Sequence, residues 1–328
     1  MEENQNIFDT KLYAAEKAAL KRLTVKYGAA MILLVLNNYF APYIFVALYS
    51  NFTNTDDIGY HAMLVLNAVS AYLIPIVALF FLFRDEIKAF LPDKGYKPFR
   101  GEAVFLFTAG MTAGVFGTLL TQLINMVIDK LFGTGEIPDA FAGMKPQNLT
   151  EFAVFAFFIC IVAPVAEEYI FRSLILKPLR AYGDLTAVLV SGIVFGLYHG
   201  NFDQFAYAAL LGIFFSVVAV KYNSILPVTI LHAANNIIVT CASDLNGACE
   251  NASQQTKLVC GNISSACSFL SSALVFVGFL TLVWCFLKKS FSLRNQNRCL
   301  SASEALGAFV SSPFVIVGIL VMFTLFMN

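Results

Sequence analysis

Charged residues are scarce in this sequence. Asp, Glu, Lys and Arg make up 13% of the 328 residues, whereas 59% are hydrophobic. A soluble domain carries about 25% charged residues, and a water-facing fold could not bury so much apolar material. The composition therefore excludes an ordinary soluble protein and favours a helical membrane protein. The net charge is zero, so no nucleic-acid partner is expected.

Long apolar runs follow one another along the chain. They occupy residues 28–49, 62–83, 102–128, 151–171, 185–199, 204–220, 225–242, 269–287 and 305–327. Most are long enough to cross a bilayer as a helix. The pattern predicts an all-α polytopic membrane bundle with nine transmembrane helices, or eight if residues 185–220 form a re-entrant pair. The short polar breaks predict one transmembrane domain over 28–328, preceded by a cytoplasmic N-terminal segment, 1–27.

Lysine and arginine are distributed unevenly between the two sides of this bundle. With the N-terminus inside, 18 of the 21 Lys and Arg residues fall on inner segments. Such an excess is typical of cytoplasmic loops, so the bias predicts a cytoplasmic N-terminus.

Four of the seven cysteines surround one polar outer segment near 243–268: Cys241, Cys249, Cys260 and Cys267. Disulfides persist on the outer side of a membrane, so two bridges are plausible, with three connectivities open. A metal site is the alternative, although no CxxC pair is present. This outer segment, with the phenylalanine- and asparagine-rich composition, favours the plasma membrane of a bacterium. A eukaryotic host stays open, because N-x-S/T sequons fall on the outer side at Asn51, Asn148, Asn251 and Asn262.

A few polar residues interrupt the apolar runs, where a charge is costly and usually serves a function. Glu168 and Arg172 are four residues apart on one helix face, in the order that favours an ion pair. Glu167 points about 100° away and lacks that partner, so burial can adapt it to act as a general base. The alternative is a helix end at the cytoplasmic surface with both carboxylates solvated.

Only three histidines are present, His61, His199 and His232. His199 closes the fifth run, where a lone histidine is more often a packing residue. His232 and Asn236 are four apart in the seventh run and project together. Their alternative role is hydrogen bonding between helices, a common use of these residues in membranes.

These three segments together resemble a known family. Residues 167–172 (EEYIFR), 195–199 (FGLYH) and 232–236 (HAANN) resemble the EExxxR, FxxxH and HxxxN motifs of the CAAX-protease and bacteriocin-processing (CPBP, or Abi) membrane proteins. Order and spacing agree over residues 150–240, which would be the catalytic core. One departure is Ser173, where the family usually has glycine.

The resemblance implies an intramembrane endopeptidase that acts on a membrane-associated or lipidated peptide or protein. Glu167 and His199 would deprotonate the attacking water, and His232 and Asn236 would donate to the oxyanion. The remaining motif residues, Glu168 and Arg172, would brace the glutamate helix. A metal-dependent variant stays open, with zinc held by Glu167, His199 and His232. Against zinc, the chain has no HExxH pair, and no carboxylate is expected to orient the histidines.

The expected depths of these residues disagree. Glu167 and His232 lie well inside their runs, whereas His199 lies at the outer end of its run, so the fifth helix must be tilted, broken or re-entrant. We expect a water-filled cone that opens toward the inner face. Two other functions also remain open: an ion or proton transporter, and a non-catalytic scaffold that binds a bacteriocin-immunity or signalling partner.

Overall fold

The computed structural model describes residues 2–53, 58–89, 101–132, 144–200, 202–288 and 300–326. These residues form helices and connecting turns, without a β-strand. The helices are α1 (Glu2–Thr53), α2 (Tyr60–Ala68, Val69–Leu73 and Ile74–Ala89), α3 (Gly101–Phe132), α4 (Leu149–Phe157, Phe158–Val162, Ala163–Glu168, Tyr169–Leu176, Lys177–Leu179 and Arg180–Tyr182), α5 (Asp184–Tyr198), α6 (Phe202–Tyr222), α7 (Leu226–Ser243), α8 (Leu245–Ala248), α9 (Gln254–Lys288), α10 (Ala302–Val310) and α11 (Pro313–Phe326).

The predicted membrane bundle is confirmed: this is a multi-pass membrane protein. Seven helices of the described ranges are long and apolar enough to cross a bilayer, and the bent pair of α10 and α11 can supply an eighth. The remaining predicted crossing is α5, which has 15 residues. Its length is about 22 Å, short of the roughly 30 Å hydrocarbon core. The predicted eight to nine crossings are therefore roughly matched.

The predicted division at residue 27 falls inside one continuous helix. Helix α1 runs through it, and Leu20, Leu23 and Tyr27 are buried against other helices. The domain boundaries stay a prediction. Some residues that carried the orientation argument, among them Lys94, Lys97, Arg100, Lys289, Arg294 and Arg298, lie outside the described residues.

Ion pairs gather at one end of the bundle, which we call the charged end. They join Lys26 to Glu86, Arg180 to Asp184 and Lys221 to Glu102. At this end the helices pack tightly. The ring of Tyr27 lies 4.9 Å from that of Phe83, and the Tyr27 hydroxyl donates to the carbonyl of Ile175.

The opposite end carries a disulfide, and we call it the disulfide end. Cys249 is bridged to Cys260, which selects one pairing from the predicted connectivities. Cys241 and Cys267 are free thiols, so the second bridge predicted from the sequence is not formed. The sequence predicted a polar loop over residues 243–268. In the structure this connection is shorter, because α9 already begins at Gln254.

Glycines let α5 and α6 pack with their backbones almost in contact. A Cβ atom at Gly196 would lie 2.6 Å from the carbonyl oxygen of Phe205, and one at Gly192 would lie 2.7 Å from the backbone nitrogen of Ile213. Small residues at such positions are typical of membrane helix pairs. After α5 the chain reverses at Gly200, whose φ of +70° suits glycine. The short α5 therefore ends inside the bundle and leaves His199 there.

Three π-helical turns interrupt α2 and α4, at Val69–Leu73, Phe158–Val162 and Tyr169–Leu176. Each turn presents a backbone carbonyl to a side chain of another helix. The accepting carbonyls are Ser70, bonded by Asn37, Ile159, bonded by Asn236, and Phe171, bonded by Ser191. Such turns are frequent at functional sites, and all three lie next to the residues of the three motifs.

Candidate active site

The predicted brace is a fully buried ion pair. Arg172 Nε lies 2.9 Å from Glu168 Oε2, and both side chains have no exposed surface. Arg172 Nη1 also donates to Ser191 Oγ at 2.9 Å. The guanidinium carbon lies 5.2 Å from the ring centre of Phe195 and 6.0 Å from that of Phe215. These aromatic faces add a cation–π contribution in a closed site.

The same glutamate orients His232. Its Oε1 lies 2.9 Å from His232 Nδ1. A carboxylate is only an acceptor, so Nδ1 carries the proton and donates it. The expectation that no carboxylate orients the histidines was therefore wrong for His232. The contact joins residues 64 positions apart, which local spacing could not reveal.

The opposite edge of the His232 ring, at Nε2, is directed toward Glu167. Glu167 Oε2 lies 3.8 Å from His232 Nε2, and the second carboxylate oxygen accepts a hydrogen bond from the hydroxyl of Tyr72 at 3.2 Å. Glu167 is 7% exposed. Tyr72 was missed from the sequence, because a tyrosine in an apolar run carries no signal of its own.

Asn236 lies in a chain of amide contacts. Its Nδ2 donates to the carbonyl of Ile159 at 2.9 Å, and its Oδ1 accepts from Asn235 Nδ2 at 3.2 Å. Asn235 Oδ1 accepts in turn from the Tyr207 hydroxyl at 3.4 Å. The Asn236 amide is therefore held in one orientation. Asn235, adjacent in sequence, is a further polar residue that the motif did not single out.

His199 follows the last residue of α5. Its Nδ1 lies 2.9 Å from the carbonyl of Phe195, which can only accept, so Nδ1 donates. In the neutral ring Nε2 is then the basic nitrogen. The conflict of depth predicted from the apolar runs does not separate these residues, because His199 lines the same cavity as Glu167 and His232.

One open cavity of about 500 Å³ brings the predicted catalytic residues together. Its wall includes Glu167, His199, His232 and Asn236, together with Tyr72. The brace residues Glu168 and Arg172 lie behind this wall. The arrangement places a carboxylate, two imidazoles and an amide around a space that can admit a short stretch of peptide.

The cavity wall does not form a metal-ligand set. Across the described ranges, no three His, Cys, Asp or Glu side chains are grouped so that they could hold a metal ion. The suggested trio of Glu167, His199 and His232 is thus not assembled as zinc ligands, even though the bond between His232 Nδ1 and Glu168 is one that a zinc-ligating histidine can also make. The residues present therefore do not fit a bound zinc ion.

The segment that carries the three motifs matches a known family. Residues 149–238 match the family described as type II CAAX prenyl endopeptidase Rce1-like. This segment is therefore similar to the CAAX proteases of that family. The CAAX-protease match contains all three motifs, from the start of α4 into α7, whereas Tyr72 lies outside it.

One curated relative is also named as a CAAX protease. The membrane-embedded CAAX protease MroQ of Staphylococcus aureus (strain USA300) is 29% identical over 114 residues, which cover 32% of this chain and 46% of MroQ. The chain thus spans about half the length of the curated relative it matches. No solved structure matches it. These comparisons do not favour the transporter or the scaffold over a CAAX-type protease.

Proposed function

We propose that this protein is an intramembrane endopeptidase that hydrolyses a peptide bond of a membrane-associated or lipidated substrate with a water activated at Glu167. The main support is the arrangement of Glu167 and His232 on the cavity wall, 3.8 Å apart, with the Glu168–Arg172 pair behind them. A charged group this deep in a membrane protein usually serves function.

The separation of Glu167 and His232 suits a shared water. At 3.8 Å the two atoms are too far apart for a direct hydrogen bond. A water about 2.8 Å from both would make an angle of about 85° with them, close to what a water can accommodate. One water can therefore contact the carboxylate and the imidazole together, and Glu167 is proposed as the base that takes a proton from it.

The proposed reaction needs one base and one set of donors. Glu167 takes a proton from the water as the water oxygen attacks the carbonyl carbon, and His199, which also lines the cavity, orients that water. The amide of Asn236, and His232 when protonated, donate to the oxyanion of the tetrahedral intermediate. One such donor contributes about 3–4 kcal/mol. Glu167 then returns the proton to the leaving nitrogen as the peptide bond breaks.

The fixed orientation of each donor supports this assignment. Glu168 holds His232, and Asn235 with Ile159 holds Asn236, so little reorganisation is required when charge develops. His199 is held by the carbonyl of Phe195. The bonds of His232 and Asn236 also join α7 to α4, so the helix-bridging role considered from the sequence and the proposed catalytic role are compatible.

The decisive experiment compares membrane peptides by mass spectrometry in cells with the wild-type protein and with Glu167→Ala. We expect at least one peptide product to disappear in the variant while the protein remains folded in the membrane. Lys257→Ala, a surface change, is the control. Unchanged products at equal protein levels would rule out the peptidase and leave a scaffold as the better interpretation.

We also propose a bacterial plasma membrane location with a cytoplasmic N-terminus.

A further inference from the structure

The cavity does not extend equally toward both ends of the bundle. Beyond Glu167 and His232, its wall continues to Asn67, Met144 and Thr240. Asn67 lies near the end of the first α-helical part of α2, Met144 precedes α4, and Thr240 lies in the last turn of α7. Thr240 belongs to the disulfide end because α7 leads directly to α8 and Cys249. Met144 precedes the start of α4, where Phe152 packs against the two bridged cysteines, and Asn67 Nδ2 lies 3.6 Å from the sulfur of Met144.

The route from the charged end to the site is filled by packed side chains. Between the ion pairs and Glu167 lie Leu79, Phe83, Leu179 and Val218, none with exposed surface. The ring of Phe309 packs edge-on against Tyr27 at 5.6 Å and adds a further layer. The helix that carries Glu167 shows the same asymmetry, since Ile170–Leu176 is buried throughout.

The two ends also differ chemically. Interhelical ion pairs occupy the charged end, which the charge bias of the sequence places in the cytoplasm. The bridge between Cys249 and Cys260 lies at the other end, and disulfides persist on the oxidising side of a membrane. The two signals are independent, and both place the disulfide end outside.

We propose that the active-site cavity opens to the extracytoplasmic side, so that its substrates are peptide segments presented at the outer surface of the membrane. This reverses the expectation of a cone that opens inward. The assignment of the site as a peptidase rests on the proposed function; the direction of access does not. An extended segment entering at Met144 meets amide side chains such as Asn67 before it reaches Glu167.

Side-specific thiol labelling tests the direction of access. Ala163→Cys places a thiol in the cavity wall one helical turn before Glu167. A charged, membrane-impermeant methanethiosulfonate is applied to intact cells or to inside-out vesicles, and mass spectrometry identifies the labelled position. We expect labelling of residue 163 to be about tenfold faster from outside, because the route from the other side is packed.

Two exposed positions calibrate the sides. Glu102→Cys at the charged end should react only in inside-out vesicles, and Asn251→Cys at the disulfide end only in intact cells. Ser70→Cys, an isosteric change elsewhere on the wall, repeats the measurement if Ala163→Cys is poorly folded. Faster labelling of the cavity from inside, no labelling from either side, or reversed calibration would each overturn the proposal.

The peptide comparison gives a second, independent outcome. Products that depend on Glu167 should derive from segments that lie outside the cytoplasm. If they derive from cytoplasmic tails, the peptidase stands and outward access fails. If labelling is outward but no product depends on Glu167, the access stands and the proposed chemistry fails.

Discussion

Glu167 and Glu168 are neighbours in the sequence but belong to two different regions of the molecule. Glu168 lies in a closed region, where Arg172 pairs with it and Ser191 and two aromatic rings surround that pair. Glu167 lies on the wall of an open cavity, where Tyr72 and His232 approach its two oxygens. A rotation of about 100° between adjacent helix positions separates them.

This difference shows how one dipeptide can provide two unlike carboxylates. An ionised group in a closed region must be paired, because an unpaired buried charge is strongly unfavourable. A carboxylate on a cavity wall that water can reach can exchange protons and act as a base. The closed region supports the open one through His232, which lies between both glutamates.

The largest expected contrast comes from neutralising each glutamate in turn. Glu167→Gln should lower kcat by about 10²- to 10⁴-fold, because a general base is lost, and change the free energy of unfolding by about 1 kcal/mol or less. Glu168→Gln should lower the free energy of unfolding by about 3–5 kcal/mol, because Arg172 is left without its counter-ion. Chemical denaturation in detergent and turnover of a product-derived peptide measure the two effects.

A double replacement sharpens this contrast. Glu168→Leu with Arg172→Met removes both charges, and should be more stable than Glu168→Leu alone. Equal losses of stability from Glu167→Gln and Glu168→Gln would contradict the division into two regions.

A smaller effect is expected from Tyr72. Tyr72→Phe removes the hydroxyl that holds one oxygen of Glu167, so the other oxygen is no longer directed steadily at the shared water. We expect kcat to fall by about tenfold with KM unchanged, since the interaction serves the reaction and not the binding of substrate.

The matched control for Tyr72 is Tyr169→Phe. Tyr169 is also partly buried and directly follows Glu168, but within the described chain its hydroxyl makes no hydrogen bond to either glutamate. It should change kcat by less than about twofold. A comparable loss in both variants, or a rise in KM for Tyr72→Phe, would show that Tyr72 only supports the packing.

The smallest expected effect is on stability and concerns Ser191, at the edge of the closed region around Glu168 and Arg172. Ser191→Ala removes the acceptor of Arg172 Nη1 and the donor to the carbonyl of Phe171, and should cost about 1–2 kcal/mol of unfolding free energy. Ser216→Ala removes an equally buried hydroxyl that donates to the carbonyl of Gly212 in its own helix. If Ser216→Ala costs as much, Ser191 has no special part in the brace.

Some of this site was predictable from the sequence, because its information is local. The i, i+4 spacing of Glu168 and Arg172 predicted their ion pair, and the three motifs together predicted the family. The membrane class followed from composition. The catalytic roles of Glu167, His199, His232 and Asn236 stay predictions, although the structure places all four on one cavity.

Other features depend on contacts between distant segments. The bonds from His232 to Glu168 and from Tyr72 to Glu167 join different helices, and no spacing rule anticipates them. The length of α5 was visible as a short run, but its end inside the bundle depends on glycine contacts with α6. The direction of the cavity depends on which end of the bundle is filled, which single helices do not show.

The π-helical turn at Phe158–Val162 makes the site sensitive to the number of residues in α4. Such a turn amounts to one residue inserted into an α-helix, and each inserted residue rotates the remainder of the helix by about 100°. Loss of a single codon there would turn the start of α4 relative to Glu167 and carry the Ile159 carbonyl away from Asn236, with every motif letter unchanged. The length of this helix is therefore inherited information as much as the identity of its glutamates.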